Sequence, residues 1–319
     1  MRPIPFYLES PDIAEYASHL EGPWELEYEQ LEGGEAIHSI KGLSVGSDSV
    51  YVEKSSRTVG VRGCVEPGTI LISSPGQESR RGRFWGSSLE TDHLVVVTHR
   101  WEADVTMPPC DNVEVTVNEA EFRSFYRQWA GTDPDFLDQG SPFLPMTRSG
   151  RERIESLWRR LVDGDAAVRP GFSLGAEVAR LIARGLVPDE RSTWLNSRQT
   201  RRVRDCLADW EAAEYDWNVS QLCRNAGVSE RTLGIWFRNQ VGMSPHRFLL
   251  RRRLNLVHRD LLRSDPATVT VTDVAMRFGF HELGRFAGVY REFFGELPSA
   301  TLRKRSGATA RQVKVAFPA

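Results

Sequence analysis

The sequence predicts a multidomain α+β fold, with a β-rich N-terminal half followed by an all-α half that contains two helix-turn-helix units. Three observations predict it. The chain has 319 residues, which suit two domains better than one. Short β-branched runs separated by glycine and proline fill the first part of the chain, and one helical pattern occurs twice in the last part.

The strand signal extends from Trp24 to about Asn118. In this region aromatic, aliphatic and β-branched residues alternate with polar ones or form short runs, at 24–28, 49–61, 69–73, 93–98 and 113–117. Glycine and proline residues separate the runs. These spacings favour an antiparallel sheet or barrel.

A segment rich in proline, glycine and aspartate, at 131–145, follows the strands, so we expect the first domain to end near Ala130. Two amphipathic helical patterns come next. Their apolar stripes are Ile154, Leu157, Trp158 and Leu161, and then Leu174, Val178, Leu181, Ile182 and Leu186. Two interpretations stay open for these stripes: packing against the sheet, or an interface with a second copy of the chain.

A repeated pattern dominates the C-terminal half. Each apolar position of Val219–Gly227, and its closing glycine, lies 52 residues before its counterpart in Val271–Gly279. After the glycine the offset is 53, and the matched pairs are Leu233 and Phe286, Phe237 and Tyr290, Gly242 and Gly295, and Pro245 and Pro298. Two copies of one supersecondary unit explain such a repeat.

Each copy has the pattern of a short helix, a tight turn at glycine and a second helix. Ser229 is a suitable N-cap for the second helix of the first copy, and Asn196–Ser197 for an earlier helix that bears Trp210. Ser244–Pro245 begins a linker helix that extends to about Leu262, a length of roughly 28 Å. Because adjacent major-groove faces of DNA lie about 34 Å apart, such a helix suits two DNA-reading heads one turn apart.

Three segments of this half resemble the tandem helix-turn-helix domain of AraC/XylS-type transcription regulators. They are Gly227–Arg238, Gly242–Leu254 and Gly279–Ser299. The resemblance covers 197–305, about a third of the chain. It implies that the second helix of each unit enters the major groove of double-stranded DNA, at successive faces.

The same resemblance implies a domain organisation and further partners. The domains are a cupin-like regulatory barrel at 1–130, a linker with bridging helices at 131–196, the DNA-binding domain at 197–305 and a tail at 306–319, which we expect to be mobile. The regulatory barrel binds an effector or serves dimerisation in family members, so a small-molecule effector and a homodimer are the expected partners there. The family also suggests activation through contact with RNA polymerase, although the residues do not separate an activator from a repressor.

Nine residues are expected at the DNA-binding surface by family position. They are Ser229, Arg231, Gly234, Ile235 and Arg238 in the first unit, and Leu283, Gly284, Arg285 and Gly288 in the second. An arginine can donate two hydrogen bonds to guanine, and an aliphatic side chain can contact the thymine methyl group. Arg231 and Arg285 are therefore the predicted readers of base edges. Arg238, Arg247 and the run Arg251–Arg253 are candidates for phosphate contacts or for bridges within the helical domain.

Gly284 and Gly288 depart from the usual AraC/XylS pattern, in which polar or basic residues are common at these positions. A glycine inside a helix costs about 1 kcal/mol relative to alanine. We hypothesise that the two glycines, one helical turn apart, let the backbone approach DNA closely while Arg285 reads a base.

Charge is distributed unevenly along the chain. The formal net charge is -2, but residues 197–305 contain 19 Lys and Arg against 12 Asp and Glu, a net of +7, and the remainder has a net of -9. A solvated helical surface would also give this split. Because the positive charge coincides with the double motif, it favours phosphate binding.

Metal, catalytic and disulfide chemistry lack sequence support. His38, His93 and His99 are isolated, without the paired histidines of metal-binding barrels, and the four cysteines have no paired spacing. We therefore predict no catalytic residue, no metal site, no cofactor and no enzymatic activity. The alternative class is a cupin-type small-molecule-binding protein or enzyme with an accessory helical domain.

The effector-binding residues stay unassigned. An aromatic pocket and plain core packing both suit Trp24, Tyr28, Phe84, Trp85 and Trp101. The arginines at 80–83 suit either an anionic effector or a solvated turn. The sequence has no apolar run of about 18 residues and no signal-peptide pattern, so we expect a soluble, cytoplasmic protein without a membrane span.

Overall fold

A computed structural model describes residues 3–20, 24–84, 86–88, 92–100, 103–138, 142–165, 171–187, 198–215, 217–304 and 311–313. Strands dominate the N-terminal half of this structure, and the C-terminal half is helical. None of the helices in these ranges combines the length and the apolar character that a membrane crossing requires.

The strands of the described ranges are β1 (Ile4–Ser10), β2 (Trp24–Gln30), β3 (His38–Val45), β4 (Asp48–Ser55), β5 (Val59–Val65), β6 (Thr69–Ser74), β7 (Arg83–Phe84), β8 (His93–Thr98), β9 (Ala103–Met107), β10 (Cys110–Asn118), β11 (Phe143–Pro145) and β12 (Arg311–Val313). The α-helices are α1 (Ile13–Ser18), α2 (Glu119–Ala130), α3 (Arg148–Asp163), α4 (Leu174–Gly185), α5 (Arg198–Ala212), α6 (Val219–Ala226), α7 (Glu230–Val241), α8 (Pro245–Arg263), α9 (Val271–Arg277), α10 (Leu283–Phe294) and α11 (Pro298–Arg303).

The strands pair antiparallel in two sheets. The large sheet has the order β11-β8-β6-β10-β4-β3-β1-β12, and the small sheet has the order β2-β5-β9-β7. The predicted β-rich half is confirmed, with the difference that its barrel is not closed, because the two sheets do not join edge to edge within the described ranges. The half is an open sandwich, in which the large sheet buries both of its faces without closing on itself.

One apolar core lies between the two sheets. Phe6, Tyr51 and Val97 of the large sheet pack there against Val61 and Val105 of the small sheet. A second core lies on the opposite face of the large sheet, under α2, α3 and α4. The large sheet is therefore the middle layer of three.

The apolar stripes of α3 and α4 belong to this second core. Ile154, Trp158, Val178 and Ile182 are all 0% exposed and pack with sheet residues such as Val115. Of the two interpretations left open by the sequence, the structure supports packing against the sheet. Their burial within one chain leaves these side chains unavailable to a dimer interface.

Two local expectations differ from the structure. The run 49–61 forms two strands, β4 and β5, because the chain turns at Ser56 and Arg57, where the Ser55 hydroxyl donates to the Arg57 carbonyl at 2.9 Å. Part of the expected tail, 311–313, forms β12, which adds to β1 at the edge of the large sheet. The proposed cap at 196–197 lies outside the described residues.

Seven helices, α5 to α11, form the C-terminal half within the described ranges, and they confirm the all-α prediction with two helix-turn-helix units. Each unit has its own core, built around Phe237 in the first and Tyr290 in the second. Helix α8 contributes Phe248 to the first core and Val257 to the second. This shared helix fixes the two units relative to each other.

Candidate nucleic-acid interface

The first helix-turn-helix unit comprises α6, a turn at Gly227 and α7. Asn218 caps α6 in a capping box: its side chain accepts from the Gln221 N–H at 3.0 Å, and the Gln221 side chain accepts from the Asn218 N–H at 2.7 Å. Gly227 then takes the left-handed conformation, with φ of 64°. Ser229 caps α7 by accepting from the Thr232 N–H at 3.2 Å, so its predicted capping role is confirmed.

The second unit repeats this construction with other residues. Thr270 and Asp273 form the capping box of α9, and Gly279 makes the turn with φ of 77°. Helix α10 then begins at Leu283 without a side-chain cap from Glu282. The first turn of α10 therefore has backbone N–H groups without a side-chain acceptor, which can serve an anion such as a phosphate.

Helix α8 connects the two units as predicted. Ser244 caps it, Pro245 occupies its first turn, and it ends at Arg263. Its 19 residues give a length of about 28 Å.

The outward face of α7 is basic and apolar. Arg231 and Arg238 are exposed, and Ile235 is 42% exposed. These three positions lie four and three residues apart, so they share one face of the helix. Gly234 is buried instead of exposed, because the Arg238 guanidinium covers it: a Cβ on Gly234 would lie 3.4 Å from Arg238 Nη1.

The outward face of α10 is open. Gly284, Arg285 and Gly288 are exposed, and a Cβ added at either glycine would meet no atom within 4 Å. Arg285 Nη1 lies 3.9 Å from the Glu282 carboxylate, and both side chains are almost fully solvated. Leu283 differs from the expectation, since it packs partly against the second core and offers less surface to a partner.

The linker arginines divide between the two roles left open by the sequence. Arg252 is buried and pairs with Glu211 at 2.6 Å and Glu29 at 3.6 Å. Arg253 donates to the backbone carbonyls of Tyr215 and Trp217. Both are therefore bridges within the protein.

Arg251 also faces inward, whereas Arg247 stays in solvent. The Arg251 guanidinium lies 6.0 Å from the centre of the Phe293 ring, and its pKa is lowered to about 10 by burial and by the charge of Arg247. Arg247 is exposed near the start of α8. Of the five candidates, Arg238 and Arg247 are the ones that are exposed.

The N-terminal half touches the C-terminal ends of α7 and α10. The Gly34 N–H donates to the Phe293 carbonyl at the end of α10, at 2.9 Å. Gly86 lies directly against the Gln240 side chain near the end of α7. The two heads are therefore held not only by α8 but also by loops of the sandwich.

A buried hydrogen-bond network joins the halves at the middle of the interface. Asp12 caps α1, and its carboxylate also lies 2.6 Å from His258 Nε2 on α8. His258 Nδ1 lies 2.5 Å from the Tyr290 hydroxyl, and the Phe294 ring stacks on the imidazole at 4.2 Å. Burial raises the pKa of Asp12, but the hydrogen bond and charge of His258 outweigh it and bring the pKa to about 2.

A cleft of about 600 Å³ opens beside this network, between the sandwich and the second unit. Asp12, His258 and Glu296 place candidate metal-ligand atoms within 4.8 Å of one another at its wall. Each has another partner, however: His258 bonds to Asp12 and Tyr290, and Glu296 pairs with Lys304 at 2.9 Å. Hydrogen bonds and an ion pair within the protein therefore already occupy the side chains of this cluster.

A separate cavity of about 50 Å³ lies inside the sandwich. Tyr28 and Phe84 line it, and Trp24 packs in the same core. Trp85 and Trp101 lie outside the described residues. The arginines at 80–83 do not line the cavity; they bond to neighbours on the surface, as in the pair of Arg81 with Glu78.

Sequence reasoning missed the residues that join the halves: Asp12, Gln30, Asn255 and His258. Asn255 and His258 stand among the apolar residues of α8, so a polar residue on a buried helix face was the available signal. Their partners lie more than 200 positions away in the chain, as in Gln30 with Asn255. No local pattern links positions so far apart.

Comparison with protein families locates one match. The sequence profile of a helix-turn-helix domain matches residues 222–304. The probable thc operon regulatory protein of Rhodococcus erythropolis is 46% identical over 91 residues, which are 28% of this chain and 27% of that protein. XylDLEGF operon transcriptional activator 1 of Pseudomonas putida is 36% identical over 88 residues, which are 28% of this chain and 27% of that protein. The chain thus spans about a quarter of the length of these relatives.

Two solved structures have a similar fold. The AraC-like transcriptional activator CuxR has a TM-score of 0.40 at 11% identity, over 79% of this chain and 94% of that chain. ToxT from Vibrio cholerae has a TM-score of 0.29 at 9% identity, over 80% of this chain and 97% of that chain.

Proposed function

We propose that the protein is a sequence-specific DNA-binding transcription regulator of the AraC/XylS type, and the helix-turn-helix match at 222–304 and the similarity to operon regulators support this proposal. One observation carries the proposal. Two units of the same construction stand at the two ends of one 19-residue helix, and each presents an exposed helix with an arginine, Arg231 on α7 and Arg285 on α10.

In this proposal α7 and α10 enter successive major-groove faces of double-stranded DNA. Arg231 and Arg285 read guanine edges, and Ile235 contacts a thymine methyl group. Gly284 and Gly288 let the backbone of α10 approach the groove. Ser229 lies at the start of α7 and Arg238 on its outer side, and both contact phosphates of the DNA backbone. When the Arg238 side chain moves to bind a phosphate, Gly234 becomes accessible. Leu283 contributes to DNA binding mainly by packing α10 against the second core.

The N-terminal sandwich has the regulatory role in this proposal. It contacts both DNA-reading helices and the linker helix, so a change in the sandwich can alter the relative position of the heads. A small-molecule effector is its proposed ligand. RNA polymerase and a second copy of the chain are the other proposed partners. The proposed location is the cytoplasm, and the expected outcome of DNA binding is activation of transcription.

Selection from a random DNA pool by the full-length protein tests this function. At about physiological salt, where non-specific binding is weak, we expect enrichment of one motif that contains two half-sites. The variants R231A and R285A should each lose discrimination of about 1–3 kcal/mol at one position of the motif.

Arg148→Ala is the matched control, because Arg148 is exposed on α3 and outside the helical half. It should select the same motif as the wild-type protein. A pool without enrichment, or R231A and R285A variants with unchanged motifs, would overturn the assignment of the two heads.

A further inference from the structure

We propose that the cavity inside the sandwich binds a small organic ammonium or amidinium compound, which Glu53 and Glu114 hold beside the Tyr28 side chain. The proposal rests on the proposed function in one respect, since it names the chemical class of the effector. The binding itself depends only on the N-terminal half.

The two carboxylates converge on the cavity from neighbouring strands. Glu53 lies on β4 and Glu114 on β10, and each is 7% exposed. In the register of this strand pair, Glu114 lies opposite Tyr51 and Glu53 lies opposite Asn112, so the two glutamates project from the same face of the sheet. Both line the cavity.

The hydrogen bonds that these carboxylates accept come from neutral groups. The Tyr16 hydroxyl donates to Glu53 at 2.8 Å, and the Ser73 hydroxyl donates to Glu114 at 2.8 Å. Tyr28 and Tyr51 also bond to Glu53 and Glu114, respectively. Among the residues that the structure describes, no lysine or arginine forms an ion pair with either carboxylate.

Burial of two acidic groups without a cation in an apolar interior costs folding free energy. Burial raises the pKa of Glu53, and burial together with the charge of Glu53 raises the pKa of Glu114 to about 8. A ligand that supplies N–H donors and positive charge removes the cost, because it pairs with both carboxylates at once.

The rest of the lining selects an organic cation over a metal ion. It is mostly apolar and includes Leu26, Val61, Val65, Val97, Val105 and Met107. Calcium takes six to eight oxygen ligands, roughly, and magnesium keeps several waters, which this wall cannot accommodate. An alkyl group fits the wall, and the Tyr28 ring on the lining can contact the cation.

The cavity size limits the ligand. A cavity needs roughly 10–15 Å³ to hold one water, so 50 Å³ has room for about three to five groups of that size. A short alkylammonium ion such as isobutylammonium, with five non-hydrogen atoms, is a suitable probe.

The position of the cavity connects it to the helical half. Tyr28 on β2 lines the cavity. The adjacent Glu29 pairs with Arg252 of α8, and Gln30, one residue further, bonds to Asn255 of the same helix. The cavity wall and the contacts with the linker helix therefore share one strand, β2, through three consecutive residues.

The test measures binding of isobutylammonium chloride to the full-length protein by calorimetry and by thermal unfolding, without DNA. Isobutanol is the neutral control of matched shape, and calcium chloride tests for a metal site. Of the three compounds, we expect the ammonium ion alone to show saturable binding and to raise the Tm.

E53Q and E114Q should each weaken the affinity at least about tenfold, because one charged acceptor is lost. E25Q, in which an exposed glutamate of β2 is changed, should bind like the wild-type protein.

A second measurement needs no variant. Because burial and the charge of Glu53 raise the pKa of Glu114 to about 8, binding of the cation at pH 7 should release a proton, which calorimetry in buffers of different ionisation enthalpy detects. Equal stabilisation by isobutanol, stabilisation by calcium, or binding without proton release would overturn the proposal. These outcomes leave the DNA-binding proposal intact, since DNA selection is a separate experiment.

Discussion

Asn255 on α8 and Gln30 on β2 exchange two hydrogen bonds across the interface between the halves. The Gln30 N–H donates to Asn255 Oδ1 at 3.0 Å, and Asn255 Nδ2 donates to the Gln30 carbonyl at 2.8 Å. Since β2 is an edge strand of the small sheet, the Asn255 amide occupies the place of a neighbouring strand. The linker helix of the helical half is thereby attached to the sheet that lines the cavity.

Asn255→Ala should weaken this attachment. The variant leaves a buried N–H and carbonyl of Gln30 without partners, which costs about 1–3 kcal/mol of unfolding free energy. Urea unfolding of the full-length protein measures the loss. Asn239→Ala, at an exposed position of α7, is the control and should stay within about 0.5 kcal/mol of the wild-type protein. A loss no larger in N255A than in N239A would show that the contact does not join the halves.

Asp12 should make the protein sensitive to acid. Its pKa falls from 3.8 to about 2 on folding, so the folded state binds this proton more weakly than the unfolded state. The resulting stabilisation, about 2 kcal/mol, is present above pH 4 and lost as the pH falls towards 2.

Asp12→Asn tests this acid sensitivity, because asparagine also caps α1 but does not titrate. In urea unfolding between pH 2 and 5, roughly, the difference between wild type and D12N should shrink with falling pH. A constant difference would contradict the role of the His258 contact.

The sequence pattern predicted the helical half better than the sandwich, for a physical reason. In the helical half each signal is local: Gly227 and Gly279 make turns, Ser229 and Ser244 make caps, and apolar residues recur every turn. Repetition of these signals made the prediction specific.

In the sandwich the informative contacts are not local. The large sheet is covered on both faces, so both sets of alternating residues on β4 and β10 are buried, and Glu53 and Glu114 look like solvent-facing residues in the sequence. The same limitation hid Gly234, whose burial depends on the conformation of the Arg238 side chain.

Glu114 should make the protein less stable as the pH rises. Its pKa increases from 4.5 to about 8 on folding, so the folded state binds more protons in this range. Stability from this group is complete below pH 4.5 and declines towards pH 8, by at most about 1.4 kcal/mol per pH unit.

E114Q removes this titration and should flatten the pH profile of unfolding. E25Q should keep the wild-type slope, since Glu25 is exposed. An unchanged slope in E114Q would show that another group dominates this pH range.

The double variant G284A/G288A should separate helix stability from DNA binding. An added Cβ meets no atom within 4 Å at either site, so the fold accepts alanine, and α10 gains about 1 kcal/mol per substitution. Specific DNA binding should nevertheless weaken, because the methyl groups occupy the space between α10 and the groove. Thermal unfolding and DNA titration measure the two effects, and equal or tighter binding would contradict the close approach of the backbone.

The central claim is that α7 and α10 occupy successive major-groove faces of one DNA segment, held apart by α8. Footprinting on a selected site measures this directly, with and without an insertion of half a helical turn, about 5 base pairs, between the half-sites. We predict two protected patches one helical turn, about 10 base pairs, apart on the same side of the DNA, and loss of specific binding after the insertion. A single protected patch, or full binding to the insertion variant, would contradict the account.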